Sequence, residues 1–146
     1  MRVVPDTNII VSGLLWHGPP REVLDAAHAG KLTLFTSAPV LAELQDVLGR
    51  PKFASKLQIA GVTVIELVVG YAASATMVQP AAIDPVIADD PDDDAVLACA
   101  VAAGAEFIVS GDPHLLKLKQ YQNIRIVTAP QLLEELSLSK ETGSSQ

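Results

Sequence analysis

The chain has 146 residues, 49% of them apolar, with a formal net charge of −7 and a pI near 4.7. That is enough apolar length for one complete core without a second domain, and the acidic balance argues against a passive nucleic-acid-binding module unless the charge is gathered in a pocket that divalent cations neutralise. One cysteine, Cys99 in "AVLACAVAAG", excludes an internal disulfide and a cysteine-based zinc site and reads as a small buried apolar residue.

Taken in order, the first element is a strand at 2–5, "RVVP", which breaks at Asp6-Thr7-Asn8 before an apolar pattern resumes. No basic segment with an apolar run and cleavage site precedes it, so the expected location is cytoplasmic. A helix at 20–29 stops at Gly30, and "LTLF" at 32–35 is the second strand. A helix at 37–48 follows, with Ser37 or Ala38 near the cap, Pro39 in the first turn and Gly49 as the stop. Two more helices occupy 52–60 and 63–75. The apolar stretch at 59–78 carries Glu66, two glycines and no basic flank, which makes it a core helix rather than a membrane span.

"TMVQ" is a short further strand, 94–103 an almost wholly apolar helix ended by Gly104, "EFIV" at 106–109 and "IRIV" at 124–127 the later strands, and 130–136 the last helix. Strands separated by helices predict an α/β fold: three α/β/α layers around a central, mainly parallel sheet. The domain is expected to span 1–136, with 137–146 a flexible, frayed C-terminal tail.

Four acidic positions carry the chemistry. Asp6 stands at the carboxyl end of the first strand, where it serves equally as a helix cap or as a ligand at the sheet edge on which open α/β folds place their sites. Glu43 lies at the margin of the apolar arc formed by Val40, Leu41, Leu44, Val47 and Leu48, whereas Asp46 points toward water; an ordinary half-exposed glutamate fits the same pattern. Asp89, Asp90, Asp92, Asp93 and Asp94 precede an apolar helix. A helix start gains about 0.3–1 kcal/mol from each of one or two acids. Five exceed that need, and their mutual repulsion implies a counterion or a solvated charge run. Asp112 follows a strand in "EFIVSGDPHLL", where Gly111 allows the turn and Pro113 opens the next helix; an N-cap is the simpler reading of this residue alone. Hard oxygen ligands converging from two strand ends, a helix start and a helix margin suit Mg²⁺ or Mn²⁺ rather than zinc. His17, His28 and His114 have no ligand spacing and read as surface or loop residues.

The segments "VVPDTNIIVSGLL", "SAPVLAELQDVL" and "DDPDDDAVLACAVAAGAEFIVSGDPHLL", in that order, resemble PIN-domain ribonucleases, in particular the small VapC-like toxins of prokaryotic toxin-antitoxin pairs. The resemblance covers roughly 2–136. It implies four catalytic, metal-holding acids: Asp6 in the strand-ending "DTN", Glu43 on its helix, Asp93 counted back from Gly104, and Asp112 in "SGD", with Asp94 or Asp90 as helpers. Thr7, Asn8 and Ser110 then support those ligands from behind. Pro5 departs from the family's usual apolar strand residue, and His114 stands where many relatives have another aspartate.

The implied activity is Mg²⁺- or Mn²⁺-dependent hydrolysis of RNA phosphodiester bonds, leaving a 5′-phosphate and a 3′-hydroxyl, without a protein nucleophile. A cognate antitoxin protein and a homodimer, with the helix at 63–75 as interface material, are the implied partners. Two rivals are a receiver-like phospho-acceptor signalling domain, which would need adjacent acids after the first strand, and a catalytically silent PIN-fold binding module. Substrate grip is weakly specified: aromatics are 4%, the cations Arg21, Arg50, Lys52, Lys56, Lys117 and Lys119 are scattered, and Trp16 and His17 fit either a cleft wall or packing.

Overall fold

A computed structural model of the protein describes residues 1–84 and 91–143; Asp89 and Asp90 lie outside the described residues. The central strands are β1 (Arg2–Pro5), β2 (Thr33–Thr36), β3 (Thr76–Met77), β4 (Phe107–Val109), β5 (Gln120–Tyr121) and β6 (Ile124–Val127). They form one sheet in the order β3-β2-β1-β4-β6-β5, parallel except for β5, which pairs antiparallel with β6. Consecutive strand residues face opposite sides of a sheet. Val3 and Val4 are both fully buried, as are Ile108 and Val109, so both faces at the centre are covered.

The cover comes from the intervening helices: α1 (Thr7–Leu15), α2 (Pro19–His28), α3 (Ala38–Leu48), α4 (Pro51–Ala60), α5 (Val64–Ser74), α6 (Pro91–Ala103), α7 (Pro113–Leu116) and α8 (Ala129–Gly143). Helix α6 packs on β1, β2 and β4 and against α3, while α8 packs on β4 and α2. Helix α5 starts with a capping box: the Glu66 backbone N–H donates to the Thr63 hydroxyl, and the Thr63 N–H donates back to the Glu66 carboxylate. Helices α1 and α2 meet at Gly13, where a Cβ would lie 2.7 Å from Cδ1 of Leu24 and 3.0 Å from the Pro20 carbonyl. The close approach therefore depends on the missing side chain.

The structure departs from the sequence reading in four places. Helix α5, read as a core helix, buries only Val68 and Tyr71 and exposes Ile65 and Val69. Helix α6 begins at Pro91, so Asp92, Asp93 and Asp94 form its first turn rather than leading into it; negative charge there is favoured by the helix dipole. Helix α8 runs to Gly143, well past 136, where a frayed tail was expected. The β5–β6 hairpin was not anticipated. Its two-residue loop, Gln122-Asn123, has positive φ at both positions (47° and 68°), as a twist-matched hairpin turn needs, without the glycine that usually announces one. Among the described residues no single helix is long and apolar enough to cross a membrane; α4 and α5 satisfy length and composition only together and are bent 79° from each other.

Candidate active site

The register places Pro5 beside Val109 and Val109 beside Val127, so the parallel strands end level with one another. Pro5, which cannot donate a hydrogen bond, is the last residue of β1. The ladder resumes at once, with the Asp6 N–H donating to the Val109 carbonyl at 2.9 Å. The chains leaving β1 and β4 therefore carry Asp6 and Ser110 out at the same edge.

Asp6 is only 2% exposed. Its Oδ1 accepts from the Ile9 N–H at 2.9 Å, the N-cap of α1. Its Oδ2 accepts a hydrogen bond from the Ser110 hydroxyl. Burial pushes the Asp6 carboxyl above the usual carboxylate range; the Ser110 hydroxyl and the Ile9 and Gly111 N–H groups oppose the rise, and the negative charge of Asp112 adds to it. Capping thus accounts for one carboxylate oxygen, and the sheet edge accounts for the other.

Ser110 is itself fully buried, and its oxygen also accepts from the Asp112 N–H at 2.9 Å. Asp112 caps the short α7, with Oδ1 accepting from the His114 N–H at 2.7 Å. The same oxygen lies 3.3 Å from Nδ1 of His114. On the other side of Asp6, the Thr7 hydroxyl donates to Oε2 of Glu43 at 2.6 Å, joining the start of α1 to α3. Thr7 is 3% exposed, and Glu43 is half-buried.

Asp93, in the first turn of α6, is 7% exposed. Asp93, Asp112 and His114 each offer one ligand atom, and the three atoms lie within 4.8 Å of one another. Asp6 and Glu43 stand outside that trio: Asp6 is linked to Asp112 through the Ser110 hydroxyl, and Glu43 accepts from the hydroxyl of Thr7, the residue after Asp6. Asp94 is half-buried beside Asp93 and not in the trio. Asn8 is exposed and lines a cleft of about 470 Å³ together with Ser12, Asp112 and His114.

Two carboxylates and an imidazole at this spacing suit a small divalent cation, because oxygen donors dominate and the buried Asp6 carboxyl nearby adds further negative charge. His114 is the member that sequence reasoning set aside as a surface residue, and its side chain is indeed 71% exposed. The available signal was its place two residues after an N-capping aspartate, which keeps its backbone, and with it the ring, close to that carboxylate.

A mainly parallel sheet with buried acids gathered at its carboxyl edge defines an α/β protein with a cluster of potential metal-holding side chains. The PIN domain family matches residues 2–114, and the chain belongs to that family, whose members are generally nucleases. The receiver alternative falls with this match: a single Asp ends β1, and Glu43 comes from a helix. Two solved structures share the fold. A chain of the VapBC2 complex from Rickettsia felis, bound to a DNA fragment from their promoter, superposes with a TM-score of 0.57 at 19% identity, over 86% of this chain and 97% of that one. The T. brucei RRP44 PIN domain superposes with a TM-score of 0.50 at 15% identity, over 98% of this chain and 84% of that one. The comparison with curated proteins finds no match.

Proposed function

We propose that the protein is a Mg²⁺- or Mn²⁺-dependent endoribonuclease and the toxin of a prokaryotic toxin-antitoxin pair. The observation that carries this reading is the meeting of Asp93, Asp112 and His114 within 4.8 Å, one hydrogen-bond relay from the buried Asp6. A bound divalent cation supplies Lewis-acid polarisation of the scissile phosphate and lowers the pKa of water. Asp93 and Asp112 would hold it directly. Asp6, with Ser110 fixing its second oxygen, and Glu43, fixed by Thr7, complete the negative corner. Asn8 lines the open side of the cleft, where a phosphodiester enters.

The resemblance to VapC-like toxins extends the proposal to an antitoxin protein as partner, to products with a 5′-phosphate and a 3′-hydroxyl, and to a cytoplasmic location. It also extends to a homodimer, for which α5 offers Ile65 and Val69, both exposed, on one face.

The test is cleavage of structured and single-stranded RNA in Mg²⁺ or Mn²⁺ by the wild type, Asp6→Asn and Asp93→Asn. Wild-type cleavage abolished by EDTA and by either substitution is the expected result. Equal degradation by all three proteins, or indifference to EDTA, would sink the proposal. Mn²⁺ binding in calorimetry that the substitutions remove, with no cleavage under any condition, would favour the silent binding module instead.

A further inference from the structure

Helix α1 connects the acidic corner to a second groove of opposite charge. Asn8, Ser12 and Leu15 follow one another at helical spacing on its outer side. Asn8 and Ser12 line the cleft beside Asp112 and His114, and Leu15 lines a groove of about 540 Å³ between α1, α2, α4 and α5. At about 1.5 Å per residue, Ser12 and Leu15 are only about 4.5 Å apart along the axis, so the two depressions open along the same side of one helix.

The second groove carries Arg21, Lys52 and Lys56 and no acidic residue, in a chain whose net charge is −7. Its cations are positioned by packing. Arg21 donates through Nε to the Gly13 carbonyl at 2.6 Å and through Nη2 to the Leu14 carbonyl, at the end of α1. The Lys56 ammonium sits 5.0 Å above the Trp16 ring, and the Lys52 ammonium 5.1 Å above the Phe53 ring. Trp16 meets Phe53 edge-on at 6.0 Å and keeps 43% of its surface exposed.

From this arrangement we propose that the groove binds the single-stranded RNA that flanks the scissile bond, phosphates on Lys52, Lys56 and Arg21, a base on Trp16. The assignment rests on the ribonuclease reading and adds to it the path of the substrate. Cations beside a partly exposed aromatic ring are what non-sequence-specific single-strand binding uses. Continuity along α1 with the acidic corner favours a strand that occupies both over an acidic peptide that needs only the groove.

Trp16 is the single tryptophan of the chain and lies against Lys56 of the groove, so intrinsic fluorescence reports on this side of it. Adding a 5′-fluorescein-labelled 12-nucleotide RNA without secondary structure is expected to quench Trp16, with anisotropy giving the affinity. Lys52→Glu/Lys56→Glu should weaken binding by about tenfold or more and lower the slope of log K against log salt by about 1.4, two phosphates at about 0.7 each. Lys52→Arg/Lys56→Arg should retain it, Lys117→Glu/Lys119→Glu should stay within about twofold, and calorimetric Mn²⁺ affinity should be unchanged in the groove variants.

RNA affinity that survives the groove charge reversal, with Trp16 unquenched, overturns the proposal. So does loss confined to a Glu/Leu-rich amphipathic peptide tested in parallel, which would assign the groove to a protein partner. Groove-dependent RNA binding by a wild type that cleaves nothing would retain the groove and remove the nuclease reading, so the two failures are distinguishable.

Discussion

The Ser110 hydroxyl donates to Oδ2 of Asp6 across the ends of two neighbouring strands, although 104 positions separate the residues in sequence. Its oxygen simultaneously accepts from the Asp112 N–H, so one buried hydroxyl sets the spacing of two carboxylate-bearing turns. Ser110→Ala removes an interaction that opposes the upward pull of burial on Asp6. Asp6 should then release its proton at higher pH, and the acid limb of Mn²⁺ binding should move upward relative to the wild type. Calorimetric titrations at a series of pH values check this; an unmoved limb would mean that Ser110 does not support the charged form.

Asp6 also makes metal-free stability depend on pH. Its folded pKa is raised, chiefly by burial. Its stabilising contribution is therefore complete below the ordinary carboxylate value of 3.8 and is lost as the pH rises through the higher folded value. At pH 7 without metal, the fold carries a buried charge that the unfolded chain would solvate. Asn is neutral and caps helices equally well. Asp6→Asn should accordingly raise the metal-free Tm, while Mn²⁺ should stabilise only the wild type. Thermal melts with and without Mn²⁺ decide it.

Thr7→Val keeps the shape of the side chain and deletes the donor to Glu43. Partners that orient metal-holding groups typically contribute about 10–100-fold to affinity or activity. A loss of RNA cleavage in that range, with an unchanged melting curve, is the expected outcome.

Gly13→Ala tests the α1–α2 contact. The new methyl would press on Leu24 and on the Pro20 carbonyl, and backbone yields less readily than a side-chain tip. Overpacking of this kind costs about 1–3 kcal/mol, measurable as a lower denaturant midpoint in urea.

Tyr71 is 3% exposed, and its hydroxyl makes no hydrogen bond to another described residue; burial, with Cys99 beside it, drives its ionisation far upward. Removing a buried polar atom that lacks a protein partner relieves a desolvation cost. Tyr71→Phe should leave the Tm equal or higher, in contrast to Leu44→Ala in the core, which should cost about 2–5 kcal/mol.

The sequence by itself determined what is local. Alternation of β-branched runs with amphipathic stretches gave the parallel α/β order, because periodicity and caps act over a few residues. The same locality placed Asp6 and Asp112 at strand ends and Glu43 at a helix margin. It missed the β5–β6 hairpin, where Gln122 and Asn123 accept positive φ without a glycine, and it ended the last helix at 136 because the apolar periodicity fades there, although the backbone continues helical to Gly143. Only the tertiary structure decided which acids meet. The level ends of β1 and β4 bring Ser110 onto Asp6, and the fold brings the His114 ring to Asp112 and Asp93. Those distances follow from strand register and side-chain direction across elements far apart in the chain, which no local pattern encodes.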